Sequence, residues 1–319
     1  MKKIIFMGTP DFAVESLQAL IDSEKYKVTA VVTQPDKPVG RKARLTPPAV
    51  KVRAEEEGLP IYQPENIQEA EVVKRLLDYQ PDLIITAAYG QILPLELLEG
   101  PEFGAINIHA SLLPKYRGAA PIHYAVLNGD PVTGVTIMYM EEGLDTGDIL
   151  AKSEIKILEE DDTGSLFAKL AQVGKDLMLE TLPLLFDKQL VAEPQDESQA
   201  TYAPSISKKQ EKIDWKQPAH CIAQKIKALR PEPGAYTLVE GQRFKIWDAE
   251  AVEEKTDLSA GTVCQVEKKQ FYVACGEGTV LKIKEVQPAG KKRMPAVNYL
   301  NGAGQFIEKG WTFDVESSK

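Results

Sequence analysis

Apolar and polar positions in the N-terminal half alternate between two periods. Residues 3–7, 28–33 and 83–88 are short, continuous apolar runs rich in β-branched side chains, the pattern of strands buried on both faces. Residues 12–21 instead repeat their apolar positions at helical spacing, and residues 49–57 and 70–79 look helical. Thr9 suits the N-cap of the first helix and Pro10 its first position. Strands alternating with helices predict parallel pairing through right-handed crossovers. The expectation is a Rossmann-like open α/β sheet that holds ligands beyond the carboxyl ends of its strands. Helical segments from 165 to about 186 close this part, and a polar stretch containing Pro194 and Pro204 follows. Beyond it lies an amphipathic helix, 219–229, and then short strand-like runs at 235–239, 244–247, 261–266, 271–274 and 280–286 separated by turn residues. Regularly spaced short strands predict a small OB-like β-barrel. The domains expected are 1–189, a linker at 190–208, and a barrel at 209–314.

At 319 residues with 43% hydrophobic and 27% charged positions, the composition is that of an ordinary globular chain. No run approaches the roughly 18–20 apolar residues of a membrane span. The opening has two lysines but too short an apolar run for a signal peptide, so a cytoplasmic protein is expected. Cys221, Cys264 and Cys275 are odd in number and far apart, which points to neither a disulfide framework nor a metal site. No apolar repeat or zipper pattern asks for a dimer, so a monomer is expected.

The net charge of −9 counts against a polyanionic partner until it is mapped. Residues 1–208 carry 20 Lys+Arg against 32 Asp+Glu, and residues 209–319 carry 18 against 15. Inside the acidic part, the basic loop 34–53 holds Lys37, Arg41, Lys42, Arg44, Lys51 and Arg53 against Asp36 alone, among five prolines and glycines. A solvated loop and an arm directed at a polyanion both fit this composition.

The first strand is followed by Gly8-Thr9-Pro10 and not by a glycine-rich phosphate loop, which disfavours a dinucleotide. Of three histidines, His123 and His220 read as structural. His109 is different: in Ile106-Asn107-Ile108-His109 it shares a strand face with Asn107, and a polar pair at a strand's carboxyl end marks a site. Asp145 follows between glycines in Glu142-Gly143-Leu144-Asp145-Thr146-Gly147-Asp148. An Asn to donate to an oxyanion, a His to move a proton and an Asp to orient it suit acyl transfer without a covalent intermediate. No serine or cysteine elbow accompanies them.

Asn107-x-His109, Ser111-Leu112-Leu113-Pro114 with Arg117-Gly118, and Asp145 in Gly-Leu-Asp-Thr-Gly-Asp together resemble the signature of the 10-formyltetrahydrofolate-dependent formyltransferases. The resemblance extends through Gly8-Thr9-Pro10-Asp11-Phe12, Thr33-Gln34-Pro35-Asp36, Ala88-Tyr89-Gly90, Gly118-Ala119-Ala120-Pro121-Ile122 and Ile213-Asp214-Trp215. The basic loop and the barrel are similar to those of members whose acceptor is the free α-amine of methionine esterified to initiator tRNA. The resemblance implies Asn107, His109 and Asp145 as the catalytic set and Ser111, Leu112, Leu113 and Pro114 as lining of the folate pocket. It also implies Arg41, Lys42 and Arg44 as tRNA contacts, 10-formyltetrahydrofolate as co-substrate, and no metal. Two other readings share features of the chain: a formyltransferase acting on a nucleotide-sugar amine, and a non-catalytic RNA-binding protein.

Overall fold

A computed structural model of the chain describes residues 1–40 and 43–314. They form two compact units: Met1–Pro121 with Val132–Lys156 and Leu166–Ser205, and Ile122–Pro131 with Ile157–Ser165 and the chain from Ile206 on.

In the first unit β1 (Lys2–Gly8), α1 (Asp11–Ile21) and β2 (Tyr26–Val32) follow the expected order. The basic loop then forms a hairpin of β3 (Lys37–Val39) and β4 (Arg44–Thr46), which pair antiparallel. Next come α2 (Ala49–Glu56), β5 (Ile61–Tyr62), α3 (Ala70–Leu77), β6 (Leu83–Ala87), α4 (Leu95–Glu99) and β7 (Ala105–His109). The following helix, α5 (Pro121–Leu127), belongs to the second unit from Ile122 on. β8 (Val132–Tyr139) and β9 (Ile149–Lys156) return to the first sheet, and α6 (Thr163–Phe186) runs after them.

The sheet order is β5-β2-β1-β6-β7-β8-β9. It is parallel from β5 to β7 and antiparallel at β8 and β9. β1 and β6 are covered on both faces, which explains their unbroken apolar runs. The strand order reverses at β1 and β6, which opens a crevice at their carboxyl ends. Thr9 lies in that crevice. It does not cap α1, whose N-cap is Pro10 without a side-chain bond; its hydroxyl donates to the Tyr89 carbonyl at 2.9 Å. The Gln34 amide reaches the same carbonyl at 3.2 Å, so the loops after β1, β2 and β6 are tied together.

Residues 190–208, read from the sequence as a linker, divide between the units at 205/206. Their first part pairs back on the first unit: Glu193 bridges Ile149, and Ala203 N–H donates to Arg117 O at 2.7 Å.

The second unit contains α7 (Lys208–Glu211), α8 (Ala219–Ala228), β10 (Tyr236–Val239), β11 (Gln242–Lys255), β12 (Val263–Val266), β13 (Phe271–Ala274), β14 (Thr279–Gln287), β15 (Met294–Pro295) and α9 (Ala296–Leu300). The antiparallel order is β10-β11-β14-β13-β12, with β15 on β14. β11 is 14 residues long and breaks register at three places, the bends a sheet needs to coil into a barrel. Residues 310–314 join its two edges: Val263 N–H donates to Trp311 O at 2.7 Å, and Asp314 N–H to Leu238 O at 3.2 Å. Phe313 fills the interior and stacks on Trp215 at 5.1 Å between ring centroids. Among the described residues no helix is long and apolar enough to cross a membrane.

Candidate active site

Asn107 and His109 sit at the carboxyl end of β7, between parallel β6 and antiparallel β8. Both reach Asp145: Asn107 Nδ2 lies 3.4 Å from Oδ1, and His109 Nδ1 lies 3.7 Å from Oδ2. The backbone N–H of Gly118 donates to the same Oδ2 at 2.7 Å. Gly118 has φ +112°, and an added Cβ would meet the Ala203 carbonyl at 3.0 Å, so only glycine offers its N–H there without strain. Asp145 itself has φ +52°, a left-handed conformation uncommon for a residue with a Cβ.

Each catalytic candidate has a fixed orientation. The Thr86 hydroxyl, buried on β6, donates to Asn107 Oδ1 at 2.8 Å. The Asp145 carboxylate can only accept, so Nδ2 is the end of the amide turned to it, and Oδ1 is the end that takes the Thr86 hydrogen. His109 Nε2 lies 2.9 Å from the Tyr116 carbonyl, which has no hydrogen to give, so Nε2 carries the hydrogen and Nδ1 faces the carboxylate. His109 is 6% exposed, so its working edge is the one it turns to Asp145.

The 111–114 turn is held mainly by its backbone. Thr136 Oγ1 donates to Ser111 O at 2.7 Å and accepts from Leu113 N–H at 3.1 Å, while Lys152 Nζ donates to Leu113 O at 2.6 Å. The Ser111 hydroxyl is turned inward to Lys115 O, and Leu113 packs with Met138 and Ile149. Leu112 and Pro114 keep partly exposed side chains. Sequence reading missed Thr86, Thr136 and Lys152, each of which reads as strand filler until the strands pair.

The basic loop is narrower than its charge count. Arg44 is exposed on β4, and Lys37 on β3. Arg41 and Lys42 lie outside the described residues. Lys51 pairs with Asp36 at 2.9 Å and Arg53 with Glu56 at 3.1 Å, both cations standing on α2. The Gln63 amide and Lys51 hold the Asp36 carboxyl below its ordinary range. His123 is in α5, where burial lowers its affinity for a proton, and His220 is on α8 beside Cys221. Among the described residues no group of three or more His, Cys, Asp or Glu side chains converges as a metal site.

Known proteins resemble the chain along its length. Residues 1–182 match the formyl transferase family and residues 205–304 the formyl transferase C-terminal domain. A methionyl-tRNA formyltransferase of Geobacillus thermodenitrificans is 52% identical over 310 residues, 97% of each chain. One from Latilactobacillus sakei is 50% identical over the whole of both chains. The chain belongs to the methionyl-tRNA formyltransferase family. Solved structures at low identity share its fold. An N-formyltransferase of Helicobacter canadensis, solved with folinic acid and dTDP-3-aminofucose, has a TM-score of 0.65 at 18% identity and covers 90% of this chain and 100% of its own. HypX of Aquifex aeolicus, solved with tetrahydrofolic acid, has a TM-score of 0.62 at 17% identity over 98% of this chain and 50% of its own. At such identities the likeness shows fold alone, so the formyltransferase family is placed by the sequence relatives and the acceptor by none of these structures.

Proposed function

We propose that Asn107, His109 and Asp145 carry out transfer of a formyl group from N10 of 10-formyltetrahydrofolate to the free α-amine of methionyl-initiator-tRNA, in the cytoplasm and as a monomer. The observation that carries this reading is the convergence of an oriented amide donor, an imidazole and a carboxylate at the carboxyl end of β7. The co-substrate supplies the formyl group, and the donor set fits it. Asn107 Nδ2 has two hydrogens, and among the described residues only Asp145 takes one, at the long distance of 3.4 Å.

Asn107 donates that remaining hydrogen to the formyl oxygen as the amine attacks and charge gathers there. Asp145 and His109 take the proton that the amine gives up, and His109 spreads the resulting charge through Nε2 to the Tyr116 carbonyl. Release of N10 needs a proton in return, which the same pair supplies. The partly exposed faces of Leu112 and Pro114 line the folate side, with Ser111 and Leu113 fixing the turn from within. The basic loop 34–53, with Arg41, Lys42 and Arg44 in its sequence, contacts the acceptor end of the tRNA, and the barrel domain, 209–314, supports the rest of it.

The high identity to relatives with the same acceptor favours tRNA over a nucleotide-sugar amine. Formylation of methionyl-initiator-tRNA, of methionyl-elongator-tRNA and of a nucleotide-linked amino sugar, each with 10-formyltetrahydrofolate, tests the reading. Faster turnover of the sugar would refute it. His109→Ala and Asp145→Ala are expected to lower turnover by about 10²- to 10⁴-fold with tRNA affinity retained.

A further inference from the structure

Asp145 is held from its backbone as well as from its carboxylate, and the hold comes from residues 195–197, beyond the formyl transferase match that ends at residue 182. Gln195 Nε2 donates to the carbonyls of Asp145 and Gly147, each at 2.8 Å. Gln195 Oε1 accepts from Arg117 Nε at 3.1 Å and Nη2 at 2.8 Å. A guanidinium has no acceptor, so the Gln195 amide has one possible orientation, and that orientation aims both its donors at the Asp145 loop. Arg117 is itself completely buried and binds Glu197 through two parallel bonds of 2.9 and 2.7 Å. The next residue along the chain, Gly118, donates its N–H to the Asp145 carboxylate.

We infer that Gln195 is a positioning residue for Asp145, and that the Arg117–Glu197 pair is the anchor that sets the Gln195 amide. Arg117 thus fixes Asp145 twice, through Gly118 to the carboxylate and through Gln195 to the backbone. Asp145 stands at φ +52°, and its loop is held from a distant segment by one hydrogen bond donated to its own carbonyl and one to that of Gly147. Each ion-pair partner favours the charged form of the other, which keeps the anchor charged at neutral pH. The inference rests on the assignment of Asp145 to the catalytic set.

Gln195→Glu keeps the side-chain length and the acceptor used by Arg117, and replaces the donating nitrogen by an oxygen facing two carbonyls. Gln195→Met removes the donors without adding charge. Both are expected to lower kcat by about 10- to 100-fold, the scale of a misplaced catalytic group, with KM for either substrate within about two-fold of wild type. In an Asp145→Asn background, measured in single turnover with excess enzyme, the same changes should alter the remaining rate less than about two-fold, since a residue acting through Asp145 has nothing left to position. Turnover of either Gln195 variant within two-fold of wild type, a loss carried by KM alone, or a full further loss in the Asp145→Asn background overturns the inference. Wild-type turnover of Asp145→Asn by itself would instead remove the catalytic assignment on which the inference stands.

Discussion

Thr86→Val tests how the amide of Asn107 is oriented. Valine has nearly the shape of threonine, so packing in the centre of the sheet is kept while the hydroxyl that donates to Asn107 Oδ1 at 2.8 Å is lost. A buried acceptor left unpaired costs about 1–3 kcal/mol. Turning the amide over exchanges that unpaired acceptor for an Oδ1 set against the Asp145 carboxylate and the oxygen that gains charge, so the lost bond narrows the preference between the two orientations. The preference for the competent orientation over the turned one then narrows by roughly 5- to 150-fold at a tenfold change per 1.4 kcal/mol, which bounds the loss of kcat by this route. The upper limit is the loss of the donor itself, about 10²- to 10³-fold in kcat. The assay is steady-state formylation with both substrates varied, alongside thermal unfolding. Thr86→Val should lower kcat with little change in either KM, and Thr86→Ser should restore it to within about threefold, because the hydroxyl returns. If Thr86→Val turned over within two-fold of wild type, the hydroxyl would not set the amide and the oxyanion role of Asn107 Nδ2 would lose its structural basis.

Two further outcomes follow from charges outside the catalytic set. Arg44→Ala should reduce the slope of log affinity for tRNA against log salt by about 1, whereas Lys51→Ala should leave it unchanged because Lys51 is committed to Asp36; equal slopes for both variants would refute this division of the basic loop. His123 is held below its ordinary proton affinity by burial, opposed in part by a hydrogen bond involving the Glu232 backbone, so the unfolded chain takes the proton first as pH falls. Its contribution is complete above about pH 6.5 and is lost as pH falls through the depressed value. The melting temperature should therefore decline more steeply in that window for wild type than for His123→Gln, and parallel curves would count against the cause.

Legibility in the sequence tracked the range of the interaction. β1, α1, β6 and β7 were readable because burial on two faces or one imposes a local period. The hairpin of β3 and β4 was not: its strands are three residues each and exposed throughout, so no period forms. β8 contains Gly134, which reads as a strand breaker, yet a Cβ there would meet the Ser153 carbonyl at 2.1 Å; the glycine permits close pairing with β9. Asn107, His109 and Asp145 stood out as polar residues in unusual settings. Thr86 and Gln195 did not, since a threonine in a β-branched run and a glutamine in a polar stretch are ordinary. Their roles exist only between segments, 21 residues apart for Thr86 and Asn107 and 78 apart for Gln195 and Arg117.

The net charge of −9 misleads for the same reason: a sum has no geometry. At physiological ionic strength charges separated by more than about 8 Å are largely screened from one another. A three-residue strand is only about 10 Å long, so cations on the two strands of a hairpin lie near the limit of mutual influence and act on a nearby phosphate largely without the acids elsewhere. Lys51 and Arg53 are withdrawn from that patch by Asp36 and Glu56, leaving Lys37 and Arg44 as the described cations that present free charge on the hairpin. A small positive patch on a negative protein favours a polyanion that fits the hairpin over one that merely approaches the surface. The charge that a polyanion meets at the hairpin is therefore set by Lys37 and Arg44 and not by the total.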